Sequence, residues 1–279
     1  MRINEDTAIS TPSVLLVPYE PRHVETYHKW MSDPQNIQSL TSSEPLSLKE
    51  ERANQASWRA SCDKLTFIVC QPLPQPPSSS SFPPSWSSFS PAASLAPQDA
   101  ISGVCDPASR MVGDVNLFLH PCHSDGSDGS DGSDVNSREQ GRGGGGGGGG
   151  GGGRGKGTDG STQGKAARRV AAEIGIMIAS PRHRGRGFGR AAVSSFLRYV
   201  SRHLPAILSE CAAGGEVVVL EEVVAKIQAS NQGSEALFRG LGFEKRGEAN
   251  YFGELELVLK DLGRMNESLE EWREVAYVR

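Results

Sequence analysis

The chain has no Gly-Lys-Ser/Thr tripeptide anywhere in its 279 residues. A nucleotide site of the ATP-loop type, in which that lysine reaches the terminal phosphates, is thereby excluded. Cysteine is scarce and unpatterned: Cys62, Cys70, Cys105, Cys122 and Cys211 form no Cys-x-x-Cys pair and leave one over. That excludes a disulfide framework and fits a reducing intracellular compartment. Long apolar runs are missing too. The best of them, Val217 to Val224, is broken by Glu221 and Glu222, so no membrane span is expected. Met1 to Asp6 lacks the apolar core of a secretory signal. Neither sign of charge dominates, with 29 Lys and Arg against 33 Asp and Glu. General affinity for nucleic acid or membrane is therefore not expected. The reading these absences leave is a soluble cytoplasmic protein.

Glycine and proline are plentiful but gathered into two blocks. Gln71 to Arg110 carries Pro72, Pro74, Pro76, Pro77, Pro83 and Pro84 around a serine run. Such a stretch forms neither ladder nor helix and reads as a disordered insert over 71–110. A second insert, over 121–169, holds Ser-Asp-Gly triplets, an unbroken Gly143–Gly153 run and a basic end at Arg168 and Arg169. The triplets lack the twelfth-position Glu of a calcium loop. His120, Cys122 and His123 lack a second ligand pair. No metal is expected. The parts expected to fold are 1–70, 111–120 and 170–262. In the tail, 263–279, Leu269, Trp272 and Val275 are spaced for a short helix.

Within the folding parts, Val14 to Tyr19 reads as a strand that stops at Pro18. Pro21 opens a helix with Val24, Tyr27 and Met31 on one face. Ser47 and Glu50 form a capping box for a helix over about Leu48–Trp58. Leu65–Cys70 and Met111–Leu119 follow as strands. In the second of these Val112, Asp114, Asn116 and Phe118 are expected on one face, and Val115, Leu117 and Leu119 on the other. A strand at Val223–Ile227, a helix capped by Ser230 and Asn231, and a closing hairpin at 243–260 complete the order. The fold class expected is mixed α/β, one central sheet flanked by helices and split by the two inserts.

The centre of the pattern is Arg182-His-Arg-Gly-Arg-Gly-Phe-Gly-Arg190. Before it runs the apolar strand Ala172–Ile178. After it Ala191, Ala192, Ser195, Phe196, Tyr199 and Val200 recur at helical spacing, up to a stop expected at Pro205. A strand, a basic glycine loop and a helix in that order make a phosphate site. Glycines allow positive φ, and the helix contributes unpaired N–H groups and the positive end of its dipole. Arg182, Arg184, Arg186 and Arg190 are expected as charge-assisted donors.

The Arg184-x-x-Gly187-x-Gly189 pattern is similar to the pyrophosphate loop of the GNAT superfamily of N-acetyltransferases. Val14–Tyr19, Tyr27–Met31, Leu40–Leu46, Met111–Phe118, Ala225–Ile227 and Asn231 resemble the N-acetyltransferase 9-like group within it. The resemblance implies a GNAT fold with acetyl-CoA as cosubstrate. The strand ending at Ile178 would splay from the one ending near Ile227. Backbone groups of Ile176, Met177 and Ile178 would pair with the pantetheine arm. Gly185, Arg186, Gly187, Phe188, Gly189 and Arg190 would hold the pyrophosphate with Arg184, and Asn231 would reach the pantetheine or thioester end. An amine attacks the thioester directly, with no acyl-enzyme.

Glu173 is the expected base, on the same side of its strand as Gly175 and Met177; a purely structural role would leave it in an ion pair with an arginine. Asp114 and Asn116 on the neighbouring strand are expected to position the amine, against a bland role as polar ladder residues. One departure stands out. Where many relatives carry a Tyr that protonates the sulfur, this chain has Phe238, leaving Ser234, Tyr251 or water to substitute. The acceptor expected is a protein or peptide amine. An N-terminal α-amine is favoured over lysine, because its reference pKa of ~7.7–8.0 lies far below ~10.4. The alternative is a catalytically weak relative acting as a binding or cytoskeleton-associated module.

Overall fold

Short runs of branched and aromatic residues pair into one sheet in the computed structural model, which describes residues 1–33, 46–73, 100–122, 167–212, 215–266 and 271–279. In chain order the elements are β1 (Thr7–Ser10), β2 (Leu15–Pro18), a tight turn at Pro21–His23 leading into α1 (Val24–Met31), α2 (Leu48–Ala60), β3 (Lys64–Cys70), β4 (Ala100–Ile101) and β5 (Met111–Pro121). Then come β6 (Arg168–Ile178), α3 (Phe188–Cys211), β7 (Val218–Gln228), α4 (Gln232–Arg239), β8 (Glu244–Arg246), β9 (Glu254–Leu259) and β10 (Arg273–Val278). Among the described residues the ten strands lie in the order β4-β10-β1-β2-β3-β5-β6-β7-β9-β8. Neighbours are antiparallel except β4 with β10 and β6 with β7. The class is mixed α/β, as the pattern predicts.

Strand period two builds two cores, one on each face of the sheet. In β3, Leu65, Phe67 and Val69 join one with α3, while Ile68 and Cys70 join the other with Tyr19 and with Tyr27 of α1. Phe67 meets Phe196 and Tyr199 edge-on at 5.9 and 5.4 Å. Burying a ring of this size stabilises the fold by ~2–3 kcal/mol. The capping box forms: Ser47 Oγ accepts from the Glu50 amide at 3.3 Å, and Glu50 Oε2 accepts from the Ser47 amide at 2.8 Å.

Five expectations need correction. Pro205 does not end its helix; α3 runs on to Cys211. The turns beyond it bury Ile207 and Cys211 in the core with α3's earlier residues, which outweighs the hydrogen bond a proline forfeits. Val112 joins Val115, Leu117 and Leu119 in one core rather than facing away, because the β3–β5 register shifts between Val69 and Cys70. Residues 100–110 are folded rather than part of an insert. Asp106 is buried there, accepting from the Gly103 amide, paired with His23 at 3.0 Å and bonded to Tyr277 at 2.7 Å. The tail forms strand β10, not a helix, laddered to β1 from Thr7↔Ala276 to Ser10↔Arg273. Strand β1 itself goes unpredicted in the sequence. The second insert is also shorter than expected, since Pro121 ends β5 and Arg168 and Arg169 open β6; residues 74–99 and 123–166, and the Leu40–Pro45 part of the family resemblance, lie outside the described residues.

Candidate active site

The parallel pairing of β6 with β7 runs from Arg168↔Val218 to Glu173↔Val224 and goes no further. Beyond that point β6 stays with β5 as far as Gly113↔Ile178, while β7 stays with β9 as far as Gln228↔Glu254. The two strands therefore part after Glu173. Ile174–Ile178 and Ala225–Gln228 line the opening with edges that no ladder fills. The basic glycine loop follows directly from that edge.

Pro181–His183 makes one tight turn, and Gly185 and Gly187 then take φ of +68° and +86°. Gly187 caps α3 in this left-handed conformation. A Cβ at either glycine would have nothing within 4 Å. Packing therefore does not demand these glycines; backbone conformation and an open approach do. The helix leaves its first N–H groups without intrahelical partners at this place. Gly189 serves another purpose, since a Cβ there would stand 2.9 Å from Leu237 of α4.

The arginines divide into two kinds. Arg182 and Arg186 are exposed. Arg184 instead donates from Nε to the Ile178 carbonyl at 2.9 Å and from Nη2 to Ala179 at 3.3 Å. Arg190 donates to the Gly240 carbonyl at 3.0 Å. Both were expected to face an anion; their guanidiniums brace the loop against β6 and α4. His183 is buried, edge-on to Phe188 at 5.7 Å. Burial, with Arg182 and Arg186 nearby, lowers its pKa and keeps the ring neutral at pH 7.

The expected catalytic residues share one face of the sheet. Phe118, Asn116 and Asp114 of β5 stand opposite Glu173, Gly175 and Met177 of β6. Glu173, at the fork, pairs through Oε2 with Lys226 Nζ at 2.9 Å and lies 3.9 Å from His120 Nε2. Its partner is thus a lysine from β7, not the arginine considered in the sequence. Lys226 is itself held above its ordinary pKa: partial burial works against the ammonium, and Glu173 with Glu256 and Glu254 more than compensates. Gly175 leaves room for Asn116, whose Oδ1 a Cβ there would approach to 2.6 Å. Asn116 Nδ2 donates to Asp114 Oδ2 at 2.9 Å. Asp114 is 1% exposed, its Oδ1 has no partner, and burial pushes its carboxyl up to about 7 against the pull of Asn116.

Asn231 caps α4 by accepting from the Ser234 amide at 3.1 Å, so its carbonyl oxygen is engaged in the helix end rather than in the cleft. Phe238 packs into the core, 1% exposed and 5.0 Å from Phe243. Tyr251 stands on the turn before β9, almost wholly exposed. Among the described residues no group of three or more His, Cys, Asp or Glu is placed to hold a metal ion, and no helix is long and apolar enough to cross a membrane. Sequence reasoning missed Lys226 and His120 as neighbours of Glu173. Only the register of three strands brings them together; His120 was weighed solely as a metal ligand.

A family model for the acetyltransferase (GNAT) domain matches residues 154–244, which include the loop and the fork. The N-acetyltransferase 9-like protein of Schizosaccharomyces pombe is 31% identical over 259 residues, covering 93% of this chain and 98% of that protein. The human α/β-tubulin-N-acetyltransferase 9 is 30% identical over 277 residues, covering 98% and 90%. Among solved structures, the acetyltransferase (GNAT family) from Bacillus anthracis superposes with a TM-score of 0.47 at 12% identity, over 91% of this chain and 98% of that one.

Proposed function

The chain belongs to the GNAT acetyltransferases, in their N-acetyltransferase 9-like family, and from that premise we propose an acetyl-CoA-dependent N-acetyltransferase that modifies the N-terminal α-amine of a protein in preference to lysine. The observation that carries it is the parting of β6 from β7 directly beside the glycine loop and the start of α3. Backbone amides of Gly185, Arg186, Gly187, Phe188, Gly189 and Arg190, with the exposed Arg182 and Arg186, fit a pyrophosphate. The unfilled edge at Ile176, Met177 and Ile178 fits an amide-bearing arm, and Asn231, whose side-chain oxygen caps α4, heads the helix that follows β7. Bound there, acetyl-CoA supplies an acetyl thioester to an incoming amine.

The remaining chemistry belongs to this chain's own side chains. Glu173 takes the proton of the attacking amine, since it stands where the strands part. Lys226 holds that carboxylate in place. Asn116 and Asp114, next along the same face, position the amine. An α-amine is partly neutral at pH 7, so a carboxylate already paired with lysine is base enough; a lysine side chain would need a stronger one.

Transfer to a peptide with a free N-terminus, compared with an N-terminally blocked peptide containing lysine, tests the reading. Acetylation should fall on the α-amine, and Glu173→Gln should lower kcat by ~10²–10⁴-fold. Acetyl-lysine as the only product would overturn the α-amine preference. Because the human relative is named for α/β-tubulin, tubulin N-termini are the first acceptors to assay. Phe238, sealed in the core without a proton to give, favours the second reading, a weakly active binding module. Acetyl-CoA binding without turnover on any peptide would select it.

A further inference from the structure

Strand period two puts a cation at the mouth of the fork. The last pair of the β6–β7 ladder is Glu173↔Val224, and the next β7 residue on that face is Lys226. Ile174 and Ala225, one step along each strand, turn the other way into the core with α3. Lys226 Nζ pairs with Glu173 Oε2 at 2.9 Å, and the lysine is exposed where an acceptor would arrive. Its surroundings are acidic. Glu256 lies directly across the ladder from Lys226, and Glu254 across from Gln228. Arg246 is already engaged, pairing with Glu222 at 2.6 Å and with Glu256. Partial burial works against the Lys226 ammonium, but Glu173, Glu256 and Glu254 more than compensate, so it stays charged at pH 7.

We infer that Lys226 is a specificity-determining residue: its ammonium fills the place on Glu173 that the ammonium of an acceptor lysine would take, so the fork admits a neutral amine and turns away a charged one. The inference rests on the α-amine reading above and gives that preference a physical cause. At pH 7 a lysine side chain, with a reference pKa of ~10.4, is almost wholly protonated, whereas an α-amine at ~7.7–8.0 is neutral in roughly one molecule in ten. A cationic acceptor must displace Lys226 from Glu173 or sit beside it, and like charges brought together are how a binding surface rejects a wrong partner. A neutral amine meets no such penalty. A carboxylate accepts several hydrogen bonds at once, so the amine N–H can share Glu173 with Lys226.

The same geometry says what the face becomes without this side chain. Glu173, Glu222, Glu254 and Glu256 would then stand against Arg246, with His120 3.9 Å from Glu173. Glu173 would lose the lysine that occupies it, and an acidic surface of that kind takes a cationic side chain readily. Lys226 therefore acts through Glu173 and through its own charge, not as a proton carrier.

The test gives the full-length protein acetyl-CoA and one peptide carrying both a free N-terminus and a single internal lysine. Mass spectrometry reads the ratio of acetyl-lysine to α-acetyl product. Both products form in one tube, so the ratio does not depend on how much of a variant is folded. The unmodified chain should give chiefly the α-acetyl product. Lys226→Met keeps the stem and removes the charge at an exposed position, and should raise the ratio about tenfold or more. Lys226→Arg, which returns a cation to the place beside Glu173, should restore it. An unchanged ratio in Lys226→Met, an equal rise in Lys226→Arg, or loss of both products in Lys226→Met would overturn the inference and leave the α-amine reading standing. Acetyl-lysine as the main product of the unmodified chain, or no product from it, would overturn both.

Discussion

Asp114 shows at the scale of one residue how burial turns a sequence letter into a pH-dependent group. Its pKa rises from 3.8 to about 7, so between about pH 4 and 7 the unfolded chain releases a proton that the folded chain keeps. Stability therefore falls as pH rises through that window and levels off above it. Asp114→Asn removes the dependence. Relative to the unmodified protein it should gain stability between pH 4 and 8, by on the order of 4 kcal/mol at most. Parallel stability–pH curves from urea melts would sink the assignment. Glycines differ as sharply from one another. A Cβ at Gly113 would lie 1.8 Å from the Met177 carbonyl oxygen, a backbone atom that cannot yield without unpairing β5 from β6. Gly113→Ala should cost roughly 3 kcal/mol or more. Gly187→Ala meets open space and pays only the left-handed backbone, about 1–2 kcal/mol, while disturbing the cap of α3. Equal losses in the two variants, measured by denaturant melts, would contradict this. The positions of Gly187, Glu173, Asp114 and Asn116 were all legible from motif and strand alternation. That Arg184 and Arg190 brace the loop was not, because a charged side chain's partner is set by strands and helices distant in sequence.

Elements were legible where their signals are local. The capping box, the strand before the glycine loop and the Asn231 cap each depend on residues within one turn, and each forms as expected. Strand β4 failed that standard because two residues at the end of a proline-rich stretch carry no period to count. Strand β10 failed because Leu269, Trp272 and Val275, three apart, count as helical, while the buried pair Val275 and Tyr277, two apart, is too short a run to outweigh them without the waiting edge of β1. Pro205 misled for a related reason: a local breaker signal was overridden by burial of Ile207 and Cys211, which only packing reveals. The helix carries that proline at a cost, since a proline in a helix interior is worth ~3 kcal/mol against alanine. Pro205→Ala should accordingly raise stability, by about 1–3 kcal/mol, with the thermal midpoint as the measure. A fall would mean the surrounding core is shaped to the proline ring.

At the scale of the molecule, the last strand decides where the folded unit ends. The sequence places the boundary at 262, with the tail outside. The structure puts β10 between β1 and β4, so the tail supplies both a ladder and a seal. Val275 and Tyr277 are buried in the core under α1, and Tyr277 donates to Asp106 at 2.7 Å. From the other face, Trp272 Nε1 donates to the Ser195 carbonyl at 3.1 Å, and Arg198 and Arg202 lie over its ring at 4.9 and 5.4 Å. Removing everything after Leu262 would strip one edge of β1, uncover two large side chains and leave the Asp106 carboxylate with only His23, Arg22 and the Gly103 amide in a buried place. Each of these losses costs on the order of 1–3 kcal/mol, and their sum approaches the whole stability of a domain this size. A chain ending at Leu262 should therefore fail to melt cooperatively, even though it keeps the glycine loop, the fork and Glu173. Circular dichroism melts of the two lengths decide the matter. A cooperative transition at an unchanged temperature would show that β10 only decorates the sheet; its loss would make the tail part of the scaffold that holds β1, β2 and β3 beside the site.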